Sequence, residues 1–362
     1  MKMGLFYFLR LMKKIVIDFE KIEDPFCGLG QVCLNLGKYF ITSPLKPYLW
    51  IKKGSWNLFE NYDFKIKINK YAKKIPLLRP RCEVFHAIHQ DSPYFPYGSK
   101  AKYILTVHDL NGLYEIKDET KKERYKSQIN KRIQRASAIT YISEFTKSEV
   151  HQHFNIPANC HEAVIYNGVS LVEPIPTIQE TLKLPTNTPF LFSIGTVVPK
   201  KNFHVLIEMM LELPDFHLVI AGTLFHQYAK DMAKTIHQYN LQTRIHLIGT
   251  IDEQMKYKLY SNAKAFVFPS LLEGFGLPVI EAMSFGLPII VSRKTSLPEI
   301  AGPEAQYFDS YEKEKMAKAV LSAIENHNEE KMSYFKNRAA QFTWKKASDE
   351  YLKLYEKFLN KA

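Results

Sequence analysis

Two glutamates, Glu273 and Glu281, stand with seven residues between them in Ser270-Leu-Leu-Glu-Gly-Phe-Gly-Leu-Pro-Val-Ile-Glu-Ala-Met-Ser-Phe-Gly-Leu-Pro288. Carboxylates only accept hydrogen bonds, and sugar hydroxyls are ready donors to them. Upstream, Ala265-Phe-Val-Phe268 is a short apolar run closed by Pro269, which predicts a buried strand. Downstream, Pro278 suits the first position of a helix, since it has no N–H and a fixed φ. That helix is expected from Val279 to about Phe285, stopping at Gly286 with Pro288 beyond. The intervening Gly274-Phe275-Gly276-Leu277 then offers backbone N–H groups at a helix N-terminus, a setting that favours an anion. Sugar-holding carboxylates beside a phosphate cradle suggest a nucleotide-sugar site. The spacing of two glutamates alone says little, because a strand-to-helix turn with two surface glutamates would show it too. The whole run, continued by Ile289-Ile-Val-Ser292 and Ser296-Leu-Pro-Glu299, is far more specific.

Three other stretches carry candidate chemistry. Gly195-Thr196-Val-Val-Pro-Lys200-Lys201-Asn202 lies between a predicted strand, Phe190-Leu-Phe-Ser-Ile194, and a helix expected over 203–211. A lysine there can meet a diphosphate, whose charge grows as its bond to a sugar breaks. Solvated lysines are the alternative, although lysine is disfavoured at a helix N-terminus unless an anion is near. His108, in Val107-His-Asp-Leu110, follows the predicted strand 102–107. Open α/β sheets bind ligands beyond the carboxyl ends of their strands; Asp109 could orient the ring, and a purely structural histidine is the other reading. Gly28-Leu-Gly30-Gln31 opens the first helix but is no dinucleotide fingerprint, because Cys33 holds the third glycine position. A loop needing positive φ is its alternative explanation.

The elements that must position these residues alternate between strand-like and helix-like throughout, as parallel sheets with crossover helices require. The 362 residues suit two domains. We expect a candidate N-terminal extension at 1–12, a first domain at 13–172 and a Pro-rich linker at 173–189. A second domain at 190–335 and a final helical segment at 336–362 complete the chain. Ala347, Tyr351, Leu354, Tyr355 and Phe358 fall on one helical face, which predicts core packing. No apolar run approaches the ~20 residues of a membrane span. The four cysteines have no metal spacing and read as free thiols in a reducing cytoplasm. The net charge of +12 is uneven: residues 1–188 carry 28 Lys and Arg against 18 Asp and Glu, residues 189–362 carry 21 against 19. A basic half suggests an anionic partner. Lys- and aromatic-rich 46–56 and 64–70, with the basic helix expected over 121–135, suit an acidic lipid surface. Plain solvated surface is as good an explanation.

The glutamate run, Gly195–Asn202 and Val107-His-Asp-Leu110 resemble the motifs of the retaining glycosyltransferases of family 4. The resemblance covers nearly the whole chain from about Lys13 to Phe358; it is densest over 189–309 and weakest over 38–100. It implies an α/β protein of the GT-B fold, two doubly wound, Rossmann-like domains facing across a cleft. It also implies transfer of a hexose from an NDP-sugar with retention, without a metal ion or other cofactor. Carried onto this sequence, Glu273 contacts the transferred sugar, Glu281 the ribose, His108 the sugar and Lys201 the diphosphate. Gly30, Gly195, Thr196, Lys200, Phe275, Gly276 and Leu277 would complete the donor site. Lys200 and Thr196 depart from the family's pattern, in which arginine is usual at the first and found in some members at the second. A lysine holds phosphate as a point charge rather than a fork, so Lys201 should carry most of the diphosphate contact. The last helix of such proteins returns to the first domain, with an aromatic residue like Trp344 near the crossing. The wording of the motifs is closest to mannosyltransferases, so GDP-mannose is the first choice of donor and a UDP-hexose the second. The acceptor would be a saccharide or lipid-linked saccharide of a surface polysaccharide or lipopolysaccharide. The site would be cytoplasmic, peripheral on the inner face of an anionic membrane, with no nucleic acid involved. Another GT-B enzyme, an NDP-sugar epimerase or a phosphorylase, or a non-catalytic module binding anionic surfaces, are the alternatives.

Overall fold

The computed structural model describes residues 13–24, 27–96, 98, 100–170, 188–224 and 227–360. The expected extension at 1–12 and nearly all of the expected linker lie outside these residues. The chain divides into two compact units, Met1–Gly168 with Trp344–Ala362, and Val169–Thr343.

In the first unit β1 (Lys13–Asp18), β2 (Tyr48–Ile51), β3 (Lys65–Lys67), β4 (Cys82–Ala87), β5 (Lys102–Val107), β6 (Ala138–Tyr141) and β7 (His161–Val164) form one sheet. Their spatial order is β3-β2-β1-β4-β5-β6-β7, and every pairing is parallel. The second unit holds β8 (Phe190–Ile194), β9 (His217–Ala221), β10 (Ile245–Gly249), β11 (Ala265–Phe268), β12 (Ile289–Ser292) and β13 (Gln306–Phe308). Here the order is β10-β9-β8-β11-β12-β13, again all parallel. Strands such as Ile15-Val16-Ile17 and Ala265-Phe-Val-Phe268 are buried at every residue, and they are apolar on both faces. A parallel sheet covered by helices on both sides demands that pattern.

Each sheet reverses its direction of growth once. In the first unit β1 and β4 are neighbours, and the chain leaves them toward opposite edges. In the second unit β8 and β11 stand in the same relation. Connections that part in this way leave a crevice outside the carboxyl ends of the two strands.

The helix Trp344–Leu359 belongs to the first unit, although it follows the whole of the second in sequence. Trp344, Ala347, Tyr351, Leu354 and Tyr355 form its buried face, spaced by three and four as a helical stripe requires. It packs on the helix Gly28–Phe40 and on β4. Two tyrosines reach polar groups deep in the sheet. The Tyr355 hydroxyl lies 2.7 Å from His86 Nδ1, and His86 Nε2 lies 2.7 Å from Thr106 Oγ1. Thr106 is also 3.1 Å from the Tyr351 hydroxyl and 2.7 Å from Thr140 Oγ1.

Two elements differ from the sequence-based expectation. The helix expected over 203–211 is only Val205–Met209. Pro199–Lys201 is a separate 3-10 turn, closed by Asn202 in the left-handed region at φ 58°. The basic helix forms as Glu119–Arg135, with Asp118 capping it through a 2.8 Å bond from the Lys121 N–H. Arg132 is nevertheless buried: its Nε donates to the Ser92 carbonyl at 2.8 Å and a terminal nitrogen to the Gln128 carbonyl at 2.7 Å. Arg132 therefore does not contribute to an outward basic face.

Tyr355→Phe removes one hydroxyl and leaves a buried nitrogen of His86 unpaired. It is expected to lower stability by about 1–3 kcal/mol, read as a shift in the urea midpoint. An unchanged midpoint would show that the Tyr355–His86 bond contributes nothing.

Candidate active site

In the second unit, the residues singled out by sequence arrive at the switch point from its two sides. Lys200 and Lys201 come from the loop after β8, Glu273 from the loop after β11. The Leu271 N–H donates to the Lys200 carbonyl at 2.8 Å and the Ser270 hydroxyl to the same oxygen at 3.3 Å. This lacing sets Lys201 Nζ 2.5 Å from Glu273 Oε1, with the two side chains only 14% and 12% exposed. The ammonium also lies 5.0 Å from the centre of the Phe268 ring, which favours a cation.

Close backbone approach makes this corner possible. Gly222, at φ 138°, follows β9, and a Cβ there would fall 1.9 Å from the Gly195 carbonyl oxygen. Gly276 ends the glutamate loop at φ 109° as the N-cap of the helix Leu277–Ser284, which carries Pro278 in its first turn. The helix thus starts two residues before the expected Val279. Thr295 and Ser296 hold the loop from behind. The Glu273 N–H donates to Thr295 Oγ1 at 3.1 Å, and the Ser296 hydroxyl lies 3.0 Å from the Glu273 carbonyl and 2.9 Å from that of Phe275. Phe275 is 3% exposed, its ring edge-on to Phe342 at 5.8 Å. Its side chain is therefore part of the packing that holds the loop.

Glu281, on the same helix, is held separately. Lys256 Nζ lies 2.7 Å from Oε1 and the Tyr260 hydroxyl 3.0 Å from Oε2. Burial disfavours the charge of Lys256, but the Glu281 carboxylate beside it outweighs this and raises its pKa. Thr196 is half-buried between Gly195 and Val197. Gly30 and His108 belong to the first unit. Gly30 lies within the helix Gly28–Phe40, and its N–H donates to Cys27 Sγ at 3.3 Å. Neither Gly28 nor Gly30 has positive φ, so the glycine pair is not a left-handed turn. His108 follows β5 and is buried, and burial pushes its pKa down to about 4. Its Nε2 lies 2.8 Å from the Ile88 carbonyl. A carbonyl only accepts, so Nε2 carries the proton and Nδ1 remains an acceptor. Ile88, not Asp109, therefore orients the ring; Asp109 Oδ1 accepts from the Asn111 N–H at 2.9 Å.

Two family models match adjoining parts of the chain. The one described as Glycosyltransferase Family 4 matches residues 32–173, and the one described as Glycosyl transferases group 1 matches 174–342. The chain belongs to glycosyltransferase family 4. A curated relative, the O-antigen chain mannosyltransferase B of Escherichia coli, is 26% identical over 95% of this chain and 99% of its own length. The serotype-specific mannosyltransferase WbdA of Escherichia coli is 27% identical over 67% of this chain and 32% of its own length. Among solved structures, a sucrose-phosphate synthase from Thermosynechococcus elongatus superposes with TM-score 0.78 at 18% identity, over 97% of this chain and all of its own. Anabaena HepE, in complex with UDP-glucose, superposes with TM-score 0.77 at 16% identity, over 95% of this chain and 99% of its own. The glycosyltransferase accordingly has the two-domain GT-B fold, and among its described residues no helix is long and apolar enough to cross a membrane.

Sequence reasoning about this glycosyltransferase missed three residues of the second unit, Lys256, Tyr260 and Thr295, and gave Ser296 no role of its own. Lys256 and Tyr260 lie four apart on the helix Glu253–Asn262 and so share one face. That spacing was the available signal, but it matches no motif.

His108 generates a pH prediction. The unfolded chain takes up a proton on it below about pH 6.5, the folded chain only below about 4. Stability should therefore fall as pH drops through that window, by about 1.4 kcal/mol per pH unit for this group. His108→Gln should have a shallower slope in urea unfolding between pH 6.5 and 4.5, and equal slopes would contradict a buried neutral imidazole.

Proposed function

We propose that this glycosyltransferase moves a hexose from a nucleoside-diphosphate sugar to a saccharide or lipid-linked saccharide acceptor, retaining the anomeric configuration. The observation that carries this reading is the Lys201–Glu273 pair at the switch point of the second sheet, a cation and a carboxylate poised together on opposite loops. In the reaction, the bond from the anomeric carbon to the diphosphate oxygen breaks and one to the acceptor oxygen forms. The acceptor's proton passes to the departing phosphate. Lys201 is the counter-charge to that phosphate, aided by Lys200 and the backbone of residues 275–277. On diphosphate binding it exchanges one oxygen partner for another, freeing Glu273 to accept from the sugar hydroxyls. Gly195 and Thr196 line the same loop. Glu281, pinned by Lys256 and Tyr260, holds the ribose; His108, neutral near pH 7, accepts from the sugar through Nδ1, and Gly30 belongs to the phosphate-facing loop of the first unit. No metal or other cofactor enters this chemistry, which rests on positioning and charge stabilisation.

GDP-mannose is the first choice of donor, supported by relatives named as O-antigen mannosyltransferases. The UDP-glucose in the HepE complex keeps UDP-hexoses as the second. The same relatives support an acceptor in surface polysaccharide or lipopolysaccharide synthesis. A panel of GDP- and UDP-sugars, scored by release of free nucleotide with and without acceptor, tests the reading. Release with GDP-mannose and an added saccharide supports it; interconversion of the donor without transfer would mean an epimerase.

Glu273→Gln should lower turnover at least ~100-fold, the scale of losing one transition-state interaction, with little change in binding of the free nucleotide. Lys201→Ala should weaken NDP binding by about 1.5–3 kcal/mol, as for a charge-assisted hydrogen bond, read by calorimetry. A loss below ~0.5 kcal/mol would move the phosphates onto Lys200 or the backbone.

Contact of the first unit with an acidic membrane is part of the proposal, through the solvent-facing side of Glu119–Arg135. Binding to vesicles of acidic lipid should appear at low salt and fade near ~0.5 M, where charges are screened within a few ångströms. Neutralising Lys121, Lys122, Lys126 and Lys131 should weaken it by ~1 kcal/mol for each charge near the surface. Equal binding to neutral and acidic vesicles would leave this face as ordinary solvated surface.

A further inference from the structure

The switch point of the first sheet holds a second cluster that the transfer chemistry does not use. Asp18 ends β1, Glu20 follows two residues later, and His89 lies just beyond the end of β4. One ligand atom from each comes within 4.8 Å of the other two. The three residues are 0%, 7% and 1% exposed. Among the described residues neither ring nitrogen of His89 has a hydrogen-bond partner. A buried polar atom without a partner is destabilising and calls for an explanation, an ion or water among them.

The surroundings fix the carboxylates without using them up. The Ser92 hydroxyl donates to Asp18 Oδ2 at 2.5 Å, and the Glu20 N–H to Asp18 Oδ1 at 3.0 Å. Each oxygen keeps a further lone pair. Glu20 Oε1 has the Lys73 ammonium at 3.1 Å and that of Lys52 at 3.6 Å. The Lys73 side chain is 52% exposed, so it can swing into solvent and surrender its place to another cation.

We propose that Asp18, Glu20 and His89 bind one divalent cation of the class that accepts mixed nitrogen and oxygen ligands, such as Mn²⁺ or Zn²⁺. Size favours an ion over a sugar, since no member of the cluster is more than 7% exposed and a pyranose ring needs an open face. The donor set of two carboxylates and one imidazole suits these metals, whereas Ca²⁺ takes oxygen ligands. With the ligand atoms no more than 4.8 Å apart, shifts of about half an ångström would bring all three to bonding distance of one ion. The ion would tie together the ends of the two central strands of the first sheet. Its ligands are all first-unit residues, so the ion would brace the frame of that unit. The sequence held a faint sign of it in the Asp18-x-Glu20 spacing at a strand end.

The test is equilibrium dialysis of the chelator-stripped full chain against Mn²⁺ and, separately, Zn²⁺. One ion per chain is expected, with affinity falling at least ~10-fold in both His89→Ala and Glu20→Gln, the scale of damage at a metal site. Lys73→Met should bind more tightly than the wild type, because it removes the competing ammonium. Near-UV circular dichroism of each variant, compared with wild type, confirms that the fold is kept. A wild-type chain that takes up no stoichiometric ion at ~1 mM metal overturns the proposal, since its Kd would then be weaker than about 1 mM. So does binding unaffected by either ligand substitution but lost in His217→Ala. The His217 and His246 rings approach to 3.0 Å on the second unit, and such a result would place the ion there.

Discussion

The second unit depends on one topological constraint: β8 and β11 lie side by side while the chain leaves them in opposite directions. No helix can cross the gap between two connections that part in this way, so their loops must close it with backbone and short side chains. The Lys200 carbonyl accepts from Leu271 and Ser270, and the Gly195 carbonyl leaves room for no Cβ at Gly222. With the loops locked, Lys201 and Glu273 are brought together by the frame, not by their own attraction. An ion pair this little exposed gains from Coulomb attraction but loses hydration on both sides. It is therefore a modest source of stability.

The same constraint operates at β1 and β4, with different residues in place. Asp18 at the end of β1 and His89 just past β4 occupy that switch point, as Lys201 and Glu273 occupy the loops beyond β8 and β11. One switch point carries a satisfied cation–carboxylate pair and the other carries two carboxylates with a histidine that lacks a partner. Both sheets are parallel and reverse once, yet the side chains at the two switch points differ in kind.

The fold was legible because parallel strands buried on both faces write themselves as continuous apolar runs. The glutamate loop was legible because glycine and proline punctuate it, and the backbone needs them: Gly276 sits at positive φ and Pro278 lies in a first helical turn. Non-local facts were not legible. Arg132 counted as surface charge, yet its planar head donates to backbone carbonyls and its helix turns it inward. Asp109 is next to His108 in sequence, but successive residues at a strand end point apart, and the Ile88 carbonyl from a neighbouring connection reaches the ring instead. Lys256 and Tyr260 meet Glu281 across two helices, a pairing that no window of sequence contains. The helix expected over 203–211 is shorter at both ends, and the left-handed Asn202 that closes the turn before it carries no signal that a helical pattern would reveal.

The return of Trp344–Leu359 to the first unit has a consequence for synthesis. His86 and Thr106 sit in strands made early, while the hydroxyls that satisfy them belong to Tyr351 and Tyr355, which are translated only after the whole of the second unit. The leading half must therefore wait, with polar atoms of its sheet uncovered, while the entire trailing half is translated. The second unit, continuous in sequence from Val169 to Thr343, has no such dependence and can fold as soon as it emerges. The order of maturation is thus inverted relative to the order of translation: the unit begun first is finished last, because its closing helix follows the whole of the other.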